Sequence, residues 1–137
     1  MPFHVTRKTA LAAIHTAAEA AVADARAALD RAAEAMSRVR PVVDGRGPAH
    51  LEDKFLDVHL AYLAAGKNYV AVRHATYSPG CQPDFGEKNY SDSWWDEHAA
   101  AAAKGLCDAA HHADKARSIS ARLVCECDDW CRGVPRD

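Results

Sequence analysis

Two groups of residues in this chain combine metal-ligating side chains with a spacing that helices could use. The first is Cys125, Cys127 and Cys131. Cys127 and Cys131 are four residues apart, so one helical face would present both thiols to a shared metal ion. A structural zinc site pairs two close ligands with two more from elsewhere, and only His50, expected at the same end of the fold, offers itself. The alternative is that Cys127 packs as a small apolar residue while Cys125 and Cys131 are partly exposed thiols. A core-seam position for Cys127 favours that alternative.

The second group is Asp30, His59, Asp108, His111 and His112, which counting outward from the two turns places at one height. Two histidines and a carboxylate on facing helices are how bundles hold iron, manganese or zinc. The spacing lacks a Glu-x-x-His motif and offers Asp108 with His111 at i,i+3 and with His112 at i,i+4. The heptad puts His111 outward and His112 on a flank, so surface and flank histidines are the expected outcome. No motif predicts a cofactor; zinc or iron is what either group would take. This layer is also the one assembly from which an enzyme could be built, because the chain has no glycine-rich phosphate loop, no Ser or Cys nucleophile motif and no dinucleotide fingerprint. His15 falls on a core seam, expected level with His98, where Glu19 or Glu97 could satisfy it; a functional version would be a pH-sensitive layer.

Two further groups suit contact rather than catalysis. Of ten aromatic residues, Tyr77, Phe85, Tyr90, Trp94 and Trp95 fall within 19 positions, beside Asp84, Glu87, Asp92, Asp96 and Glu97. Aromatic side chains on a loop held by rigid helices equip a binding surface, and the same rings could close the open end of a slender bundle. At the other end, level-matching gathers Arg38, Arg40, Arg46, Lys115, Arg117, Arg122 and Arg132, a group that could contact phosphates. Glu126, Asp128 and Asp129 stand among them, and a solvated polar end is the expected reading.

The elements that must position these groups are three long helices. Residues 6–40 contain no Gly or Pro, and apolar residues recur at Leu11, Ala18, Val22, Ala25, Leu29, Ala32, Met36 and Val39 in alternating steps of four and three. This predicts a helix over about 7–40, ended by Pro41 and the Gly- and Pro-rich run after Asp44. A second helix over 49–75 has its seam at Leu51, Phe55, Val58, Tyr62, Ala65, Tyr69 and Val72. Leu56, Leu63 and Val70 lie beside that seam at steps of seven, with Leu60 further round, so the apolar stripe is wider than two neighbouring helices require. The segment 77–92 reads as an ordered loop. A third helix over 93–131 follows, from a capping pair at Ser93 and Asp96 through Trp95, Ala99, Ala102, Leu106, Ala109, Ala113, Ala116, Leu123, Cys127 and Trp130, with Ser120 as the one polar residue on the seam. The expected fold is all-α, an up-down-up antiparallel bundle forming one domain over 1–137, with completion by oligomerisation as an option.

Composition narrows the function classes. Thirty of the 137 residues are Ala and only 23 are Leu, Ile, Val or Phe, a thin core compatible with helices that approach closely. With 17 basic and 19 acidic residues, the chain lacks the positive charge that drives phosphate-backbone binding, so nucleic acid is the least favoured partner. The longest stretches without Asp, Glu, Lys or Arg, such as Thr9 to Ala18, are ten residues, about half of what a membrane span needs. Five cysteines cannot all pair within one chain, and no export signal is evident, so reduced thiols in a cytoplasm are expected. The leading expectation is a small soluble helical bundle that binds a protein partner, with the aromatic acidic segment and the apolar face of helix 2 (Leu56, Leu60, Leu63) as contact surfaces and helix 2 forming a homo-oligomer. The alternatives are a metal-binding bundle and a nucleic-acid binder using the basic end.

Overall fold

A computed structural model describes residues 7–39, 49–77 and 92–133, with side chains described for 10–39, 49–75 and 97–132. Three helices make up almost all of it: α1 (Arg7–Arg38), α2 (Ala49–Tyr77) and α3 (Asp92–Gly133). No strand occurs among the described residues. The boundaries fall within two residues of those expected from periodicity and capping. A backbone bond from Val39 N–H to the Met36 carbonyl, 3.1 Å long, closes the end of α1.

Contacts between side chains fix the directions. His15 meets Tyr69 and Arg26 meets Tyr62, so α1 and α2 run in opposite senses. Lys54 meets Glu126 while Val72 meets Gly105, so α2 and α3 do the same. Asp24 meets Arg117, Ala28 meets Ser120 and Arg38 meets Asp128, so α1 and α3 run parallel. The fold is therefore the up-down-up bundle, with all three helix pairs in contact.

Alanine decides how close the helices stand. Ala18, Ala21, Ala25, Ala28, Ala32 and Ala35 on α1, and Ala102, Ala109, Ala113 and Ala116 on α3, are buried. Their methyl groups let the two backbones approach until the Ser120 hydroxyl donates across the interface to the Ala28 carbonyl at 2.8 Å. That bond satisfies the one buried polar side chain among the described residues, since a buried hydroxyl needs a partner. The larger core side chains come from all three helices, Leu11 on α1, Leu51, Val58 and Val72 on α2 and Leu123 on α3, while Phe55 and Tyr62 of α2 pack against the core from its edge.

Half of the seam predicted for α1 is kept, with Leu11, Ala18, Ala25 and Ala32 buried, and the other half is displaced by this spacing. Val22, Leu29, Met36 and Val39 are half-buried at the edge of the core, whereas Ala21, Ala28 and Ala35 occupy its centre. A helix that contacts two neighbours needs two stripes, and only Ala fits where the backbones are nearest.

Heights along the bundle also differ from expectation. Residues of α1 stand level with residues 90 to 93 positions later on α3. Asp30 is thus level with the turn after Ser120, and the stretch Asp108 to His112 lies lower by ten or more residues, about 15 Å along the axis. The cause is the second connection: α3 starts at Asp92 and its first two to three turns lie past the level of Tyr77, so counting symmetrically about the loop places α3 too far along.

Two helical glycines separate close approach from open space. A Cβ on Gly105 would lie 2.8 Å from Val72 Cγ2 and 3.4 Å from the Asn68 carbonyl, whereas one on Gly66 would meet nothing within 4 Å. Gly66→Ala is expected to raise stability by about 0.5–1 kcal/mol through helix propensity. Gly105→Ala is expected to lower it, because buried Val72 is β-branched and overpacking costs about 1–3 kcal/mol against that same gain. Urea unfolding of both variants checks this, and a Gly105→Ala protein more stable than the parent would contradict the close packing.

Candidate functional site

The outer face of α2 carries the exposed large apolar side chains of the described residues. Leu56 (52 % exposed), Leu60 (52 %), Leu63 (50 %) and Val70 (48 %) stand out from it, while Leu51, Val58, Ala61, Ala65 and Val72 fill the inner face. The two faces follow from the sequence: the inner seam takes steps of four and three from Leu51, and Leu56, Leu60, Leu63 and Val70 trace a second seam on the far side. Lys67 falls inside this outer stripe, Glu52 at its start and His74 at its end, all exposed. Leu56, Leu60 and Leu63 are thus on one continuous surface, as expected, and Val70 extends it by two turns. The charges that punctuate the stripe were not singled out by the sequence reading, although their four- and three-residue spacing was the available signal.

The aromatic segment falls largely outside the described residues. Phe85 and Tyr90 are not described; Tyr77 is the last residue of α2, and Trp94 and Trp95 lie in the opening turn of α3, with their side chains outside the described part.

The histidine and carboxylate layer is dispersed. Asp30 lies on the outer face of α1 with its Oδ1 3.1 Å from Arg26 Nε. Arg26 also stacks over the Tyr62 ring, 5.8 Å from its centre, and the Tyr62 hydroxyl and Asp30 together hold it more firmly in its charged form. Half-buried His59 is near the level of Asp30, but Asp108 and His112 are about three turns away on α3. Asp108 there accepts from Lys104 at 3.0 Å, and His111 and His112 meet edge to face with ring centres 5.3 Å apart.

The cysteine end is assembled as packing. Cys127 is fully buried, with its Sγ 3.8 Å from Met36 Sδ, and burial pushes its thiol above the ordinary value. Cys131 Sγ donates to the Arg38 carbonyl at 2.9 Å, and Cys125 is exposed. His50 reaches the same end of the bundle but faces α3 through Glu126, whose Oε1 is 3.6 Å from its Nε2 and whose other oxygen binds Lys54. Among the described residues, no group of three or more His, Cys, Asp and Glu is arranged to hold a metal ion.

The remaining candidates are relocated too. Half-buried His15 is 3.3 Å from the Tyr69 hydroxyl, a partner on α2 rather than Glu19 or Glu97, and its level on α3 is several residues past His98. The basic residues are spread: Arg117 binds Asp24 at 3.2 Å and also Asp114, well along α1 from Arg38, which meets Glu34 at 3.1 Å and Asp128 at 3.5 Å. Arg132 meets Asp129 at 2.7 Å, and Arg40 and Arg46 lie outside the described residues. No described helix is long and apolar enough to cross a membrane.

Comparison of the chain with protein-family models, with curated proteins and with solved structures finds no match.

The buried thiol makes stability depend on pH with a definite sign. The folded state keeps the Cys127 proton at a pH where the unfolded state has lost it, so stability is complete below the ordinary thiol value of about 8.5 and falls as pH rises beyond it. Cys127→Ala is expected to flatten that fall while lowering stability at neutral pH, measured by urea unfolding between about pH 7 and pH 10. A maleimide should label Cys107 and Cys125 in the native protein before Cys127; equal rates for all three would refute the burial argument.

Proposed function

We propose that this chain is an interaction module: a three-helix bundle that offers the outer face of α2 to an apolar helical face of another protein chain. The observation that carries the reading is the line of Leu56, Leu60, Leu63 and Val70, each about half exposed and interrupted only by Lys67, along one side of α2. Single exposed apolar residues are ordinary, but a contiguous stripe at heptad spacing is what a helix presents to a partner helix. The rest of the bundle supports it, because α1 and α3 carry mostly small or charged residues outward: Ala20, Ala27 and Glu34 on α1, Ala103, Ala110 and Lys115 on α3. In this reading the aromatic acidic segment from Tyr77 through Phe85 and Tyr90 to Trp94 and Trp95, which directly follows α2 in the chain, supplies additional contacts. No cofactor enters it.

Photo-crosslinking in the native cell tests the proposal. A benzophenone amino acid at Leu60 should give discrete adducts, and the same group at Ala27 on the outer face of α1 should give none. Leu56→Gln with Leu63→Gln should remove the Leu60 adducts while leaving stability within about 0.5 kcal/mol, because both side chains are already solvated. Equal labelling from both positions would refute a dedicated face on α2.

A further inference from the structure

The outer stripe of α2 is nearly symmetric about one residue. Glu52, Leu56, Leu60, Leu63, Lys67, Val70 and His74 follow one another in steps of four or three, and all seven are exposed. Leu63 stands seven residues from both Leu56 and Val70, and eleven from both Glu52 and His74. At about 1.5 Å per residue, the stripe is about 33 Å long, some six turns.

Its charges are sorted along that length. The exposed acids Glu52, Asp53 and Asp57 belong to the N-terminal half, and the exposed bases Lys67, Arg73 and His74 to the C-terminal half. Lys54, which would have offset the acids, is turned toward α3 by Glu126. The other two helices treat their outward charges differently. Arg26 with Asp30, Lys104 with Asp108 and Arg132 with Asp129 pair within one helix, Arg38 meets both Glu34 on its own helix and Asp128 on α3, and Arg117 joins Asp114 on its own helix to Asp24 on α1. Among the described residues no such pair forms within α2, and none of them forms an ion pair with Glu52, Asp53, Asp57 or Lys67.

A helix with an acidic first half and a basic second half is complementary to itself reversed. Parallel pairing would set acids on acids and bases on bases; antiparallel pairing about a two-fold axis sets each half on its complement, and symmetry repeats every contact. We propose that the occupant of this face is a second copy of the chain, with its α2 antiparallel to the first and Leu63 at the two-fold axis. This rests on the reading of α2 as a docking face and names its partner. Leu56 then packs against the partner's Val70, and Glu52 meets the partner's His74. Lys67 and Asp57 lie to the same side of the stripe, and antiparallel helices bring like sides together. The Lys67 ammonium therefore stands about two residues, roughly 3 Å of axial rise, from the level of the partner's Asp57, within the reach of its side chain.

Sedimentation equilibrium of the untagged full chain from about 1 μM to 1 mM, the range that a modest helix pair titrates, is the test. The wild type should form a dimer that weakens as salt is raised. Lys67→Glu and Asp57→Lys should each weaken dimerisation at least tenfold, by setting like charges opposite one another twice. An equimolar mixture of these two single variants should recover it as a heterodimer, and so should the double variant. Because both side chains are exposed, all variants should keep the parent's helical circular-dichroism spectrum at 25 °C, so loss of the dimer is not loss of the fold. A wild type monomeric to 1 mM, single variants that dimerise like the parent, or a double variant that stays monomeric would each overturn the antiparallel pairing. A monomeric wild type whose Leu60 crosslinker captures a different protein in the cell overturns the second-copy occupant while leaving the docking face standing. A monomer with no specific Leu60 adduct overturns both.

Discussion

The distance between α1 and α3 governs the rest of this molecule. Two helices lined with Ala18, Ala21, Ala25, Ala28, Ala32 and Ala35 on one side and Ala102, Ala109, Ala113 and Ala116 on the other come close enough for Ser120 to reach the Ala28 carbonyl at 2.8 Å. A larger residue at the centre of that interface would force the backbones apart, so Val22, Leu29 and Met36 are pushed to its edge. The parallel register of α1 and α3 is set there, and with it the height of every side chain on α3. Asp24 with Arg117 and Arg38 with Asp128 are surface consequences of that register rather than its cause, since exposed ion pairs contribute little.

A tight pair of alanine helices leaves the third with an unequal share of the work. α2 inserts Leu51, Val58 and Val72 into the groove that α1 and α3 form, and at Gly105 it comes close enough that even a methyl group would strike Val72. Its inner face is therefore fully used, and its outer leucines stay about half exposed. The proposed docking face is thus the part of α2 that three helices of this build cannot cover.

Much of this was legible in the sequence. Absence of Gly and Pro over residues 6–40, the four-and-three rhythm and the turn-forming runs located the three helices within two residues, because each of those signals is local. The excess apolar width of helix 2 was legible for the same reason: periodicity counts stripes without knowing the neighbours. What depended on distant parts of the chain was not. Which of two interleaved stripes on α1 faces the centre is decided by how near α3 stands, and a period cannot say that. The axial shift of α3 depends on where the second connection sends the chain, so the level-matched set of Asp30, His59, Asp108 and His112 comes apart, and so does His15 with His98. The cysteine end fared better, because Cys127 on a core seam is a statement about one helix face, whereas the pairing of His50 with Glu126 required the α2–α3 contact.

An alanine-lined interface also shapes how the protein responds to temperature. Unfolding exposes methyl groups along α1 and α3 where most bundles would expose isobutyl groups and rings, so the apolar surface newly hydrated per residue is small. The heat-capacity increment of unfolding scales with that surface. With a small increment, enthalpy and entropy of unfolding change slowly with temperature, and the stability curve is broad and shallow. Helix-favouring alanine backbones, rather than a deep reservoir of buried hydrocarbon, then carry the fold across that range, and cooling costs it little of the hydrophobic driving force on which larger cores rely.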